Sequence, residues 1–259
     1  MSITCHGKTD AGRVRSGNQD SICVQPEDGI FIVSDGIGGI AGGEVASHIV
    51  TEVLCEMLRR EFPTNDSSNL SDVQERMPGI VRKLNESLRK KAEGTQCDGM
   101  GATLISAMVR VPGVLITNLG DSRAYLVRDG ILTLLTTDHN LGNSLIEAGE
   151  ISPEELDSHP AASRLLQYVG MAGQANPDTH ILTVREGDLL VLCSDGLTNM
   201  VSDKEMLEII VDADTLEQLC DQMIAAANEA GGRDNISIIA INLPRDDPAR
   251  IHLSDGREA

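Results

Sequence analysis

The feature that most constrains the fold of this chain is a series of short aliphatic runs separated by tight turns. Ile22–Val24 and Ile30–Val33 lie on either side of an Asp-Gly pair at 28–29, and a second Asp-Gly pair at 129–130 separates two more runs. Asp-Gly between two aliphatic runs is typical of a β-hairpin. The further runs are 114–116, 124–127, 131–134, 189–193 and 236–241. Strands joined to strands in this way predict antiparallel sheets rather than βαβ units.

Longer segments of the chain have apolar residues at helical spacing. The three clearest are Val45–Leu58, Ile80–Leu88 and Leu216–Ala227. A capping box at Ser71 and Gln74 is predicted to begin the second of these helices. Shorter helices are predicted to begin near Ser152 and Ser202, which have capping chemistry. Strands paired mostly with strands, with a few amphipathic helices beside them, indicate an α+β fold. Since only 2% of the residues are aromatic, the core must be aliphatic.

The charge of the chain disfavours binding to nucleic acids and to anionic membranes. The formal net charge is −19. Nucleic-acid backbones and anionic membranes are bound by clustered Lys and Arg, so neither is an expected partner. No apolar run approaches the roughly 20 residues that cross a bilayer, and the first residues lack the pattern of a signal peptide.

The cysteines indicate a reducing compartment. They are scattered and include no CxxC pair, and four of them lie within apolar runs. Buried free thiols are therefore a simpler interpretation than disulfides or zinc ligands. We expect a cytoplasmic protein that acts as a monomer. The six cysteines are Cys5, Cys23, Cys55, Cys97, Cys193 and Cys220.

Aspartates recur where the predicted strands begin or end. One strand runs into Ser34-Asp35-Gly36 and another into Ser194-Asp195-Gly196, and the other three aspartates are Asp20, Asp121 and Asp234. At any single site an ordinary turn explains Asp-Gly equally well. If the strand ends converge, however, several carboxylates lie close together, and their repulsion raises their pKa values unless cations intervene. An all-oxygen site of this kind suits Mg²⁺ or Mn²⁺ better than zinc.

These residues belong to motifs that resemble the protein phosphatase 2C family of metal-dependent phosphatases, particularly its compact bacterial members. The motifs occur in the family's order and extend from Gly12 to Ile241. They are Gly12–Asp20, Asp35–Gly39, Gly101–Thr103, Gly120–Arg123, Ser194–Gly196 and Gly232–Asn235. Each motif alone is weak, but the ordered set is specific.

The resemblance implies both a fold and a metal centre. The implied fold is two antiparallel sheets packed as a sandwich, with helices on both outer faces, in four layers (αββα). Asp35 would bridge two Mn²⁺ or Mg²⁺ ions, and the Gly36 carbonyl would bind one of them. Asp195 and Asp234 would hold the other ion, while Asp20 would act from behind the ligands. The implied reaction is hydrolysis of phosphoserine and phosphothreonine in proteins by direct attack of a metal-bridging hydroxide.

The resemblance also implies a third, weaker ion and a residue that binds the substrate. Asp121, together with Asp195, would hold the third ion. Arg15 would bind the substrate phosphate as a catalytic group, although Arg13 competes for this role and a solvent-facing arginine is the plainer interpretation.

The chain departs from the family pattern at two positions. Eukaryotic relatives have His, a proposed general acid, where this chain has Ile37. In the flap region, Gln167 stands where many relatives carry Arg. The residue that protonates the leaving group and the role of the flap therefore stay open. His139 and His159 are candidates for functional roles, but capping or packing is the simpler interpretation.

The extent of the motifs and the loss of periodicity after residue 243 predict the domain organisation. We expect one catalytic domain over residues 1–243, with a flap insertion at about 136–170, and a charged, disordered tail over 244–259. The implied partners are phosphoproteins, namely a bacterial Ser/Thr kinase and its substrates. A partner-switching phosphoprotein of an anti-sigma pathway is the alternative.

Two competing interpretations come from other classes of protein. Residues 36–41 fit the G-x-G-x-x-A dinucleotide fingerprint, but the strand before them belongs to a predicted hairpin and not to a βαβ unit. The second alternative is a catalytically silent phosphatase fold that binds phosphopeptides or regulates a kinase. The presence of all the implied metal ligands argues against it.

Overall fold

The computed structural model describes residues 3–38, 42–64, 69–156, 159 and 164–243. Two antiparallel sheets form its centre. The strands of the first sheet are, in spatial order, β1 (Thr4–Asp10), β11 (Ile236–Asn242), β10 (Leu189–Cys193), β7 (Arg123–Arg128) and β8 (Ile131–Leu134). Those of the second are β2 (Asp20–Gln25), β3 (Ile30–Ile37), β5 (Leu104–Arg110), β6 (Gly113–Leu119) and β9 (Asp178–Thr183), with β4 (Gly101–Ala102) paired to β3.

The two predicted Asp-Gly hairpins are confirmed. β2 pairs with β3, and β7 pairs with β8, both antiparallel. In the second turn both Asp129 and Gly130 have positive φ values, of 53° and 75°. This is the backbone conformation that a tight hairpin turn requires and that Gly and Asp tolerate best.

The four-layer arrangement is also confirmed. Helices α1 (Gly42–Glu61) and α2 (Leu70–Ala92) cover the outer face of the second sheet, and α6 (Asp203–Asp212) and α7 (Leu216–Glu229) cover the outer face of the first. A third apolar cluster fills the space between the sheets, with Phe31 as its largest side chain. This α+β sandwich buries both faces of each sheet.

The sequence predicts the start of α6 correctly and the start of α2 incorrectly. Ser202 caps α6 in a capping box with Glu205, as expected. The capping box predicted at Ser71 and Gln74 is wrong, because α2 begins at Leu70 with Asn69 as its cap. Asn is as strong an N-cap as Ser and lies two residues earlier, so it takes the position.

The predicted flap region contains two short helices, α3 (Leu141–Glu147) and α4 (Pro153–Leu156). The region is joined to the body by an isolated bridge from Ala102 to Val169, and a second bridge, from Asn140 to Leu165, pairs two segments of the flap region with each other. The predicted tail, 244–259, lies outside the described residues. Among the helices that the structure describes, none is long and apolar enough to cross a membrane.

Candidate active site

The candidate site lies at the edge where the chain passes between the two sheets. The segment after β1 crosses from the first sheet to the second and carries Arg15, and the segment after β6 crosses back and carries Asp121. α5 (Asp195–Thr198) begins just after β10 ends, and Asp234 lies just before β11 begins. Pairing of Asp20 with Asp35 places the start of β2 and the end of β3 at the same edge. Antiparallel register therefore brings residues far apart in sequence to one place.

A single cavity of about 330 Å³ receives these side chains. Asp35, Asp121, Asp195 and Asp234 all line it, together with Arg15. Its remaining lining residues are Gln19, Gly36, Ile37, Gly38, Thr103, Leu165 and Asn235. The convergence expected from the strand ends is thus present in the structure.

Asp20 lies behind this cavity and not in its wall. Its side chain is buried, and Oδ2 accepts hydrogen bonds from the hydroxyls of Ser194 and Ser237, each at 2.7 Å. Burial raises the pKa of Asp20 to about 7 against the effect of these two hydrogen bonds, and the charge of Asp195 adds to the rise. Ser194 is the serine of the Ser-Asp-Gly motif, which explains why a small hydroxyl precedes Asp195.

The carboxylates in the cavity wall also have raised pKa values. Burial, followed by the charges of Asp20, Asp195 and Asp121, raises the pKa of Asp35 well above its usual range. Burial and the charge of Asp195 raise the pKa of Asp121 to about 7. Burial likewise raises the pKa of Asp195. Groups whose charged forms repel one another in a buried space are stabilised by a cation placed among them.

Within the described residues, one carboxylate of the cavity wall and the one behind it each have an oxygen without a hydrogen-bond partner. Among the described residues, neither Asp20 Oδ1 nor Asp195 Oδ1 has a hydrogen-bond partner, although Asp195 Oδ2 accepts from Asn199 Nδ2 at 3.0 Å. A buried oxygen without a donor is costly, and a hard cation offsets that cost. Within the part of the chain that the structure describes, no three His, Cys, Asp or Glu side chains are grouped closely enough to hold a metal ion by themselves. The donors that line the cavity are carboxylate oxygens, which are the ligands of ions such as Mg²⁺ or Mn²⁺.

Arg15, and not Arg13, reaches the cavity. Arg15 Nη2 donates to Asp234 Oδ2 at 2.7 Å, and the arginine side chain is about half exposed. Arg13 instead uses its backbone N–H, which donates to the Gly232 carbonyl at 2.7 Å, and its side chain is not part of the cavity lining.

Close packing requires glycine at the positions after Asp35 and Asp195. A Cβ atom on Gly36 would lie 2.2 Å from the carbonyl oxygen of Gly43, and one on Gly196 would lie 1.9 Å from that of Asn235. Any side chain at these positions would displace the backbone that carries the carboxylates.

Two residues that position the site are missed by the sequence analysis, although both lie in its motifs. Asn235 Oδ1 accepts from the Gln19 N–H at 2.8 Å, and Nδ2 donates to the carbonyls of Ala11 and Gly17, each at 2.9 Å. It thereby holds both ends of the segment that carries Arg15. Thr103 accepts from the Asp35 N–H at 2.9 Å and bonds the Ser122 hydroxyl at 2.7 Å. The sequence feature that could have identified them is their place in the Gly-Ala-Thr and Gly-Arg-Asp-Asn motifs.

The remaining candidates lie away from the cavity. His139 accepts from the Gly120 N–H at 3.3 Å through Nδ1, and its Nε2 lies 3.1 Å from Asp178 Oδ2, so it braces the turn before Asp121. Gln167 accepts from the Asn176 N–H at 3.1 Å. Neither of these residues nor His159 lines the cavity, whereas Ile37 does.

Comparison with known proteins agrees with this geometry. The family model of protein phosphatase 2C matches residues 11–237. A serine/threonine phosphatase, stp, of Listeria innocua is 36% identical over 238 residues, which cover 90% of this chain and 93% of that protein. The solved serine/threonine phosphatase of S. agalactiae is 33% identical and superposes with a TM-score of 0.85, covering 93% of this chain and 100% of that one.

A further solved structure is that of the catalytic domain of the phosphatase PstP in complex with two manganese ions. It is 28% identical, has a TM-score of 0.77, and covers 93% of this chain and 98% of that one. Fold, ordered motifs and relatives all agree. The chain belongs to the protein phosphatase 2C family and is an enzyme of the protein serine/threonine phosphatase class.

Proposed function

We propose that this enzyme hydrolyses phosphoserine and phosphothreonine in proteins with two divalent ions held by the aspartates of the cavity. The observation that carries the proposal is the convergence of four aspartates and one arginine on a single cavity. Among the described residues, one buried oxygen of Asp195 in its wall and one of Asp20 behind it have no hydrogen-bond partner. Asp35, Asp195, Asp234 and the Gly36 carbonyl would hold the two ions, and Asp20 would support them from behind.

Mn²⁺ and Mg²⁺ are the ions that suit this donor set. The candidate ligands are carboxylate and carbonyl oxygens, which hard ions prefer, and Mg²⁺ and Mn²⁺ commonly complete their coordination with water. A related phosphatase that was solved with two manganese ions supports the same choice. Asp121, on the crossover between the sheets, would hold a third and weaker ion together with Asp195.

When bound, the ions would lower the pKa of a water that attacks phosphorus and would offset the charge of the phosphate. The chain's own residues would orient the substrate. Arg15 would bind the phosphate oxygens through its guanidinium, which is well suited to bidentate contacts. In this structure Asp234 accepts a hydrogen bond from the Arg15 guanidinium and so holds the arginine at the cavity.

The wall of the cavity also bears on proton transfer. Ile37 and Leu165 are aliphatic and have no proton to donate. His139 and His159 are not part of the wall, so neither lies where a leaving group would depart. With the aspartates of the wall holding the ions, a solvent water would protonate the serine or threonine alkoxide.

Substrates of this enzyme would be phosphoproteins, with a bacterial Ser/Thr kinase and its targets as the expected partners. The relatives named as serine/threonine phosphatases support this choice. Six free cysteines in the described residues support a reducing compartment, and we expect the protein to act there as a monomer.

The test is release of phosphate from a phosphothreonine peptide and from p-nitrophenyl phosphate by protein stripped with a chelator, with and without added Mn²⁺. We expect activity only with the metal, and its loss in Asp195→Asn by more than the roughly 10–100-fold typical of residues that only orient a ligand. Glu208→Gln, an exposed carboxylate on α6, is the matched control and should retain activity. Turnover that is independent of metal would contradict the metal mechanism, and metal binding without turnover would favour the silent binding module.

A further inference from the structure

Two cysteines face each other where helix α1 packs on strand β2. Cys23 lies on β2 and Cys55 on α1, and both belong to the apolar layer between this helix and its sheet. Side chains two residues apart on a strand point to the same face, and side chains four apart on a helix lie along one stripe. Contacts on either side of the cysteines establish the register of the two elements.

The flanking contacts bracket the pair. Ser21 Oγ and Thr51 Oγ1 are hydrogen-bonded at 2.8 Å, and Arg59 Nη2 donates to Gln25 Oε1 at 2.7 Å. Cys23 lies midway between Ser21 and Gln25, and Cys55 lies midway between Thr51 and Arg59. Two residues of strand advance by about 6.7 Å and four residues of helix by about 6 Å. The two elements therefore advance by nearly equal lengths, and Cys23 lies opposite Cys55.

We propose that Cys23 and Cys55 form a redox-active pair, which a peroxide converts to a disulfide that ties α1 to β2. The bracketing contacts place the two side chains opposite each other in the apolar layer, with Cys55 buried and Cys23 partly exposed. Neither is used by the proposed mechanism, and neither lines the cavity of the aspartates.

The environment of the pair favours Cys55 as the reacting thiol. The interaction with Cys23, aided by the Arg59 guanidinium and against the effect of burial, lowers the pKa of Cys55 to about 7. A thiol with a pKa near ambient pH is the most effective nucleophile in thiol oxidation and exchange. Burial instead raises the pKa values of Cys193 and Cys220, each to about 12, which makes these two thiols inert.

The reaction has two steps. The Cys55 thiolate attacks one peroxide oxygen, so that an S–O bond forms, the O–O bond breaks and water leaves after protonation. The Cys23 sulfur then attacks the Cys55 sulfur, so that the S–S bond forms, the S–O bond breaks and a second water leaves with the Cys23 proton. Two thiols are oxidised and one hydrogen peroxide is reduced to two waters.

The experiment uses the full chain, reduced, loaded with Mg²⁺ and treated with equimolar hydrogen peroxide. Free thiols are then blocked, and the non-reduced digest is mapped by mass spectrometry. We expect a peptide pair that joins Cys23 to Cys55, with a loss of two hydrogens that dithiothreitol reverses. Because the disulfide closes a loop of about 30 residues, the oxidised protein should unfold at a temperature higher by about 5–10 °C.

Variants separate the pair from general oxidation. In Cys23→Ser, Cys55 should stop at the sulfenic acid, which dimedone traps. Cys97→Ser is the matched control, since Cys97 is partly exposed in the turn that follows α2, and this variant should still form the cross-link. The proposal is overturned if peroxide oxidises other cysteines while the pair stays reduced, if the cross-link appears only after unfolding, or if it leaves the unfolding temperature unchanged.

Discussion

The buried aspartates make the stability of the metal-free enzyme depend on pH in an unusual direction. In the folded protein the pKa values of Asp20 and Asp121 are about 7, whereas an aspartate in an unfolded chain titrates at about 3.9. Between these values the folded state holds a proton that the unfolded state has lost. The free energy of unfolding therefore falls as the pH rises from about 4 to 7, and it recovers on acidification.

The size of the effect follows from the number of protons. Asp121 lines the same cavity as Asp35 and Asp195, and Asp20 lies behind it within reach of their charges, so we count a single proton for the group. One proton changes the free energy of unfolding by about 1.4 kcal/mol per pH unit, which gives about 2 kcal/mol between pH 7 and pH 5.5. For a protein of this size the unfolding temperature should rise by roughly 4–8 °C over that interval. Asp10 and Asp188, whose pKa values are lowered, contribute only at lower pH.

The assay is thermal or urea unfolding of chelator-stripped protein from pH 5.5 to 7.5, repeated with Mn²⁺. With metal the trend should reverse, because protons then compete with the ions for the same carboxylates. Asp20→Asn should reduce the slope of the metal-free protein, while Glu56→Gln, an exposed carboxylate on α1, should leave it unchanged. A metal-free protein that loses stability on going from pH 7 to pH 5.5 would refute the reasoning.

Three further predictions test the packing and chemistry of the site. Gly196→Ala, whose Cβ would lie 1.9 Å from the Asn235 carbonyl, should destabilise the protein by about 1–3 kcal/mol in urea unfolding and lower kcat; wild-type values for both would contradict the close packing. Asp188→Ala leaves the partly exposed Arg128 without its buried partner and should cost about 3 kcal/mol while sparing kcat, since the pair lies far from the cavity; an equal loss of activity would show coupling to the site. Since Ile37 has no proton to donate, kcat/KM should rise steeply as the leaving-group pKa falls across phenyl and alkyl phosphates, and Ile37→His should flatten the dependence; a flat wild-type profile would mean that another acid serves.

Local patterns predict much of the fold from the sequence. The Asp-Gly hairpins and the long amphipathic helices are confirmed because turn chemistry and helical spacing are local properties. Strands β1, β5 and β9 are missed. β1 and β9 are edge strands with largely polar, half-buried sequences, and in the buried strand β5 Ser106 and Ala107 interrupt the aliphatic run. Helix α3 is missed because it is short and contains Gly142 and Asn143, which are weak helix formers.

The site is predicted only in part by the residues alone. Aspartates at strand ends indicate a carboxylate cluster only if the ends converge, and that depends on pairings across more than 200 residues, such as that of β1 with β11. The family resemblance supplied the order of the motifs and hence the convergence. It did not identify Asn235 as the residue that holds the Arg15 segment, because that role appears only from its three hydrogen bonds.

Calorimetric titration of the stripped protein with Mn²⁺ tests the central claim most directly. We predict two tight ions and a weaker third in the wild type, loss of tight binding in Asp35→Asn, and loss of the weak site alone in Asp121→Asn. Glu208→Gln should bind all three ions. Tight binding that survives in Asp35→Asn, or that is lost in Asp121→Asn, would contradict the assignment of the two core ions.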